Sequence, residues 1–226
     1  FLFFKLFKME NKRILVIGGS GYIGGEVVNE LNKRKYDVTV LSRNPDKTVK
    51  NIKGSVLDKE FLIDHVKDFH CIIYLAAIVR SLTKSKYKEN FLGLNNMLSA
   101  MKKNNIHKII YFSTQNVHLR NTGDYGNSKK ECEKLILESK LDYIIIRPNY
   151  VYGIDKKNDF YYLFNIIKKT RICPVIGNGN NKFQPLNKKD LSKAIVGLLD
   201  KFKTGEISDI SGKYTVTINE IIDLIR

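Results

Sequence analysis

No apolar run in this 226-residue chain approaches the roughly 18–20 residues that cross a bilayer, which excludes a membrane-spanning helix. Cysteine is scarce. Cys71, Cys132 and Cys173 form an odd, widely spaced set, neither a disulfide framework nor a zinc spacing, and suit a reducing cytoplasm. His65, His70, His107 and His118 lie apart with no ligand spacing, so no metal site is expected. Internal repeats, low-complexity tracts and flexible linkers are missing as well. Acidic residues are outnumbered: 39 Lys and Arg against 23 Asp and Glu leave a formal charge of +16. Such a field favours phosphates, nucleotides, nucleic acid or an acidic membrane surface. The lysines, however, are spread from Lys5 to Lys213 with no nucleic-acid motif beside them. They read as solvated helix faces, and no nucleic-acid partner is expected.

What is present describes an ordinary globular chain, 43% hydrophobic and 27% charged, long enough for one domain with a small appended lobe. Residues 1–8 are apolar with two lysines and too short for a signal-peptide core, so they are taken as a leader or a translation-start artefact before Met9. A short surface anchor is the sharper reading of the same residues, without stable membrane insertion.

From there strand and helix alternate. Strands are expected at 13–18, 37–41, 51–56, 71–76, 108–113 and 143–147, with helices at 22–33, 61–66, 87–103 and 125–139 between them. Strands apolar on both faces, separated by helices, predict a parallel sheet covered on both sides. Right-handed crossovers make it a doubly wound α/β sheet, the Rossmann fold. After Pro148 the rhythm changes: helices are expected at 159–169 and 189–201, a loop at 177–181, short strands at 207–210 and 214–217, and a last helix from Ile218. Asp190 is expected to cap the helix at Leu191. The chain thus divides into the leader, a dinucleotide-binding domain over 9–150 and a small α/β substrate lobe over 151–226. That lobe partly completes the sheet and is open to truncation at its end.

Four constellations carry chemistry. Gly18, Gly21 and Gly24 lie in the run Gly18-Gly19-Ser20-Gly21-Tyr22-Ile23-Gly24, between a strand and a helix. Glycines there permit a tight turn, backbone approach to a pyrophosphate and close helix–strand packing, and the helix N-terminus offers N–H groups to phosphate. A purely structural turn is the competing reading. At the end of the second strand Ser42 and Arg43 replace the acid that would hold a free ribose 2′-hydroxyl. A serine–arginine pair suits a 2′-phosphate, hence NADP rather than NAD; Arg43 stacked on adenine or facing solvent is the other possibility. Tyr125 and Lys129 stand at i, i+4 on one helix face, where an ammonium lowers a phenol pKa for acid/base work. Ser113 and Thr114 end the fifth strand, where ligands of open α/β sheets bind, although strand-end capping would also use such a hydroxyl. Cys132, one turn after Lys129, is assigned to packing.

Together with Tyr74-Leu75-Ala76-Ala77, Asn90, and Arg147-Pro148-Asn149-Tyr150-Val151-Tyr152-Gly153, these motifs resemble the extended short-chain dehydrogenase/reductase superfamily over about residues 12–226. The likeness is to the NAD(P)-dependent epimerase/dehydratase proteins. It implies Thr114, Tyr125 and Lys129 as the catalytic residues. It implies cofactor contacts from Gly18, Ser20, Gly21, Tyr22, Ile23, Gly24, Ser42, Arg43, Val56, Leu75, Ala76, Ala77 and Pro148, with Tyr125 and Lys129 shared. Ser55 would border the adenine with Val56, and Asn90, Asn149 and Gln184 would face substrate. The implied activity is hydride transfer at a C–OH/C=O carbon of a nucleotide sugar or related small molecule, in the cytoplasm, by a chain that is a possible homodimer. Three positions depart from the family pattern: Ser55 replaces an acid, the 114–125 loop is short, and Phe183 falls where an arginine often grips the nucleotide diphosphate. The second function is an atypical NADP(H)-binding relative with a structural, assembly or redox-sensing role, similar to the complex I accessory subunit of this fold.

Overall fold

The computed structural model describes residues 12–44, 48–153, 159–170, 175 and 177–225. The expected leader and Cys173 lie outside them. Seven strands form one parallel sheet: β1 (Arg13–Ile17), β2 (Asp37–Ser42), β3 (Asn51–Lys53), β4 (Cys71–Tyr74), β5 (Lys108–Phe112), β6 (Asp142–Pro148) and β10 (Glu206–Ile210). Their order is β10-β6-β5-β4-β1-β2-β3, so the winding reverses between β1 and β4. That reversal opens a crevice beyond the carboxyl ends of the strands. The short pairs β7 (Val151–Tyr152) with β9 (Leu186–Asn187), and β8 (Lys182–Phe183) with β11 (Val216–Thr217), lie outside the main sheet.

Seven helices accompany them among the described residues: α1 (Gly24–Lys33), α2 (Lys59–His65), α3 (Lys88–Lys103), α4 (Gly123–Glu138), α5 (Asp159–Thr170), α6 (Lys188–Asp200) and α7 (Ile218–Ile225). The central strands bury both faces because two separate cores press on them. Ile14, Val16, Ile73 and Ile110 meet Val27, Val28 and Leu31 of α1 and Leu191, Ile195 and Val196 of α6. Leu15, Ile72, Ile109 and Tyr111 meet Leu62 of α2, Leu94 and Met97 of α3, and Cys132 and Ile136 of α4. The second half of the chain therefore shares a core with the first and supplies the edge strand β10, paired parallel to β6.

Helix ends show how tightly the units connect. After α1, α3 and α4 the chain passes through left-handed Lys35, Asn105 and Lys140 (φ 61°, 53° and 62°) and enters the next strand almost at once. Tyr36 N–H to Leu31 O and Ile106 N–H to Met101 O, 3.1 and 2.9 Å, close the reversals over the last helical turn. Boundaries differ from expectation where local hydrogen bonding decides. β3 ends at Lys53, because Gly54 onward turns toward the crevice. α4 begins two residues early at Gly123. The cap of α6 is Asn187, whose side chain accepts from Lys189 N–H at 2.9 Å, not Asp190.

Candidate active site

A cavity of about 850 Å³ opens at the carboxyl ends of β1, β2, β4 and β5. Its first wall is the β1–α1 turn. Gly18 has φ +81°, and a Cβ there would stand 2.9 Å from Ala76 N. A Cβ on Gly24 would be 2.1 Å from Gly18 O, so α1 can begin against the turn only without a side chain. No side chain caps α1, whose preceding residue Ile23 also lines the cavity. A turn of this shape against an uncapped helix start fits a dinucleotide pyrophosphate. Ser20, Gly21 and Tyr22 line the same wall. Ser42 and Arg43 follow at the end of β2, where the Ser20 and Ser42 hydroxyls hydrogen-bond at 2.7 Å. Ser55 and Val56 lie beyond them, and Leu75, Ala76 and Ala77 cross the floor.

The other half holds the acid/base candidates. Thr114 leaves β5 and caps the following 3₁₀ turn, its hydroxyl accepting from Asn116 N–H at 3.3 Å. That turn is clamped to the end of β10 by Gln115 Nε2 donating to Ser211 Oγ (2.9 Å) and His118 Nε2 against both Asp209 oxygens (3.0 and 3.1 Å). Ser113 turns inward and donates to Glu133, which also accepts two bonds from Arg147, Nε at 2.9 Å and Nη2 at 2.6 Å. Both strand-end residues line the cavity, Ser113 buried with its hydroxyl committed to Glu133 and Thr114 half-buried.

Tyr125 and Lys129 both line the cavity from α4. Burial, with the nearby Cys132 thiol, pushes the Tyr125 phenol up to about 12. Burial pulls Lys129 down to about 8, partly offset by Cys132 and Glu133. The expected depression of the phenol pKa by the ammonium is not observed. Lys129 Nζ instead donates inward to Tyr111 Oη at 3.2 Å and to the Phe112 carbonyl.

The substrate candidates divide. Asn90 lines the cavity, but its amide is occupied: Oδ1 accepts from Ile78 N–H (2.7 Å), and Nδ2 donates to Ile78 O (3.1 Å) and Ser128 Oγ (3.0 Å). It holds the 78–87 loop against α4, a positioning task. Pro148 and Asn149 line the cavity, Asn149 Oδ1 accepting from Tyr150 N–H at 2.7 Å. Gln184 does not line it; it sits half-buried between β8 and β9. Arg80 and Asn116 also line the cavity without having been assigned a role from the sequence, and so does Tyr150, which stands in the Arg147–Gly153 motif.

The fold and this cavity define a doubly wound nucleotide-binding protein with a Tyr–Lys helix beside the cofactor turn. Residues 14–211 match the model of the NAD dependent epimerase/dehydratase family, and the chain belongs to that family. It is 26% identical over 229 residues to the N-acetyl-alpha-D-glucosaminyl-diphospho-ditrans,octacis-undecaprenol 4-epimerase of Escherichia coli O157:H7, covering 91% of this chain and 66% of that protein. It is 25% identical over 257 residues to the dTDP-glucose 4,6-dehydratase of Streptomyces niveus, covering 94% and 76%. It spans about half the length, 52%, of another curated relative. In fold it is similar to UDP-N-acetylglucosamine 4-epimerase from Bacillus cereus, with TM-score 0.82, 22% identity, and 94% and 82% coverage. No helix among the described residues is long and apolar enough to cross a membrane.

Proposed function

We propose that the protein is a cytoplasmic enzyme that binds NADP in preference to NAD and epimerises or dehydrates a nucleotide sugar at a C–OH/C=O carbon. The observation that carries this reading is the meeting of Thr114, Tyr125 and Lys129 in the cavity that also contains the Gly18–Gly24 turn. The nicotinamide cofactor, when bound, supplies reversible hydride acceptance. The chain's own residues do the rest. Tyr125 exchanges a proton with the substrate hydroxyl, and its burial keeps the phenol protonated and poised as an acid until an oxyanion needs it. Thr114 donates to the same substrate oxygen. Lys129 presents an ammonium to the cofactor ribose, and Ser42 with Arg43 supports a 2′-phosphate.

A homodimer through α3 and α4 is part of the proposal, supported by the exposed Leu92 and Leu137 on those helices. Sedimentation of the purified chain tests it, and a monomer at working concentration removes it.

The decisive experiment combines mass spectrometry of the co-purifying nucleotide with turnover of nucleotide sugars by the wild type and Tyr125→Phe. Wild-type turnover with a roughly 10²–10⁴-fold loss in Tyr125→Phe is expected, at unchanged nucleotide affinity, because only the ionisable oxygen is removed. Equal turnover by the two proteins would remove the enzymatic reading and favour a binding protein of this fold.

A further inference from the structure

Tyr111 stands on β5 with its hydroxyl under α4, and both it and Lys129 are only 1% exposed. The Lys129 ammonium has three N–H donors. One goes to Tyr111 Oη at 3.2 Å and one to the Phe112 carbonyl, and the ammonium lies 4.7 Å from the Tyr111 ring centroid. Two donors are thus tied inside the protein, and one is left for the cavity that Lys129 lines. The buried Cys132 thiol, one turn along from Lys129 on α4, belongs to the same core cluster as Tyr111.

We infer that Tyr111 is the positioning residue of Lys129: it fixes the ammonium so that its remaining donor meets the cofactor ribose. This rests on the cofactor-binding role of Lys129 proposed above. The groups facing the ammonium are consistent with it. Tyr74 packs on Tyr111 from β4, with ring centroids 6.1 Å apart, while Tyr125, Cys132 and Glu133 face it from α4. Glu133 is committed to Arg147 and Ser113. Burial holds the Tyr111 phenol well above its ordinary value, so it remains a neutral hydroxyl throughout. It therefore favours the charged lysine without competing for its proton.

The experiment titrates NAD into the full chain by calorimetry across roughly pH 6–10, for the wild type, Tyr111→Phe, Tyr111→Met and Lys129→Met, with thermal unfolding of each as the check on folding. Wild-type affinity is expected to fall as Lys129 loses its proton near pH 8. In Tyr111→Phe affinity at neutral pH falls about tenfold, the scale of a hydrogen bond to a charged group. Its pH midpoint moves about one unit lower, which general loosening of the core would not produce. Tyr111→Met, which also lacks the hydroxyl, moves the midpoint the same way, and it carries the test if Tyr111→Phe does not fold. A wild-type midpoint in both variants, with Lys129→Met binding weakly, overturns this inference alone. Lys129→Met binding like the wild type overturns both the inference and the cofactor role of Lys129.

Discussion

Replacing Glu133 by alanine removes the acceptor at which β5, β6 and α4 are joined. The carboxylate accepts from Arg147 at 2.9 and 2.6 Å and from the Ser113 hydroxyl. Side-chain exposure is 18% for Arg147 and 8% for Glu133, so solvent can do little for a guanidinium left behind. Breaking a buried pair by deleting one partner costs about 3–5 kcal/mol, set by the uncompensated charge rather than by the attraction lost. At about 2–4 °C per kcal/mol for a chain of this size, the melting temperature should fall by roughly 6–20 °C. Urea unfolding with an unchanged m-value would show that stability, not compactness, had changed. Glu133→Leu with Arg147→Met should recover most of the loss, because apolar side chains of similar volume remove the charge together with its partner. A single-mutant loss below about 1 kcal/mol, the range of exposed pairs, would refute the reasoning. So would a double variant no more stable than Glu133→Ala.

Arg43→Ala should weaken NADP binding by about 1–3 kcal/mol and leave NAD binding unchanged. Equal effects on both cofactors in calorimetry would remove the 2′-phosphate assignment. Gly24→Ala places a methyl group 2.1 Å from Gly18 O, so the start of α1 must shift. Stability should drop by about 1–3 kcal/mol and nucleotide binding should fall at least tenfold, both read in one ligand-shift melting experiment. Lys129 is held near 8 in the folded protein against 10.5 in an open chain. Between those values the unfolded chain binds more protons, so the lysine destabilises most below pH 8 and progressively less toward pH 10.5. Lys129→Met should accordingly gain on the wild type at neutral pH, with the difference shrinking as pH rises; a constant difference in urea melts would contradict this.

The doubly wound sheet was legible in the sequence because its signals are local. Apolar runs such as Ile14–Leu15–Val16–Ile17 can be accommodated only where both faces are covered, and Gly18, Gly21 and Gly24 mark a backbone that must pass close to its neighbours. The same locality put Thr114 just after β5 and Tyr125 and Lys129 in the first half of α4. Tertiary structure alone decided what those side chains do. Tyr125 and Lys129 share a helix face by spacing, yet the ammonium turns inward because β5 offers it a carbonyl and a phenol, which no pattern within α4 reveals. The amide of Asn90 is spent on a loop twelve residues away and on Ser128, and Gln184 is kept out of the cavity by the short strands around it. Nothing in the sequence joins Glu133 to Arg147 and Ser113, since a buried ion pair exists only once β5, α4 and β6 have packed together. Periodicity records which face of each element is covered; which polar atoms meet across those faces depends on contacts that only the assembled sheet creates.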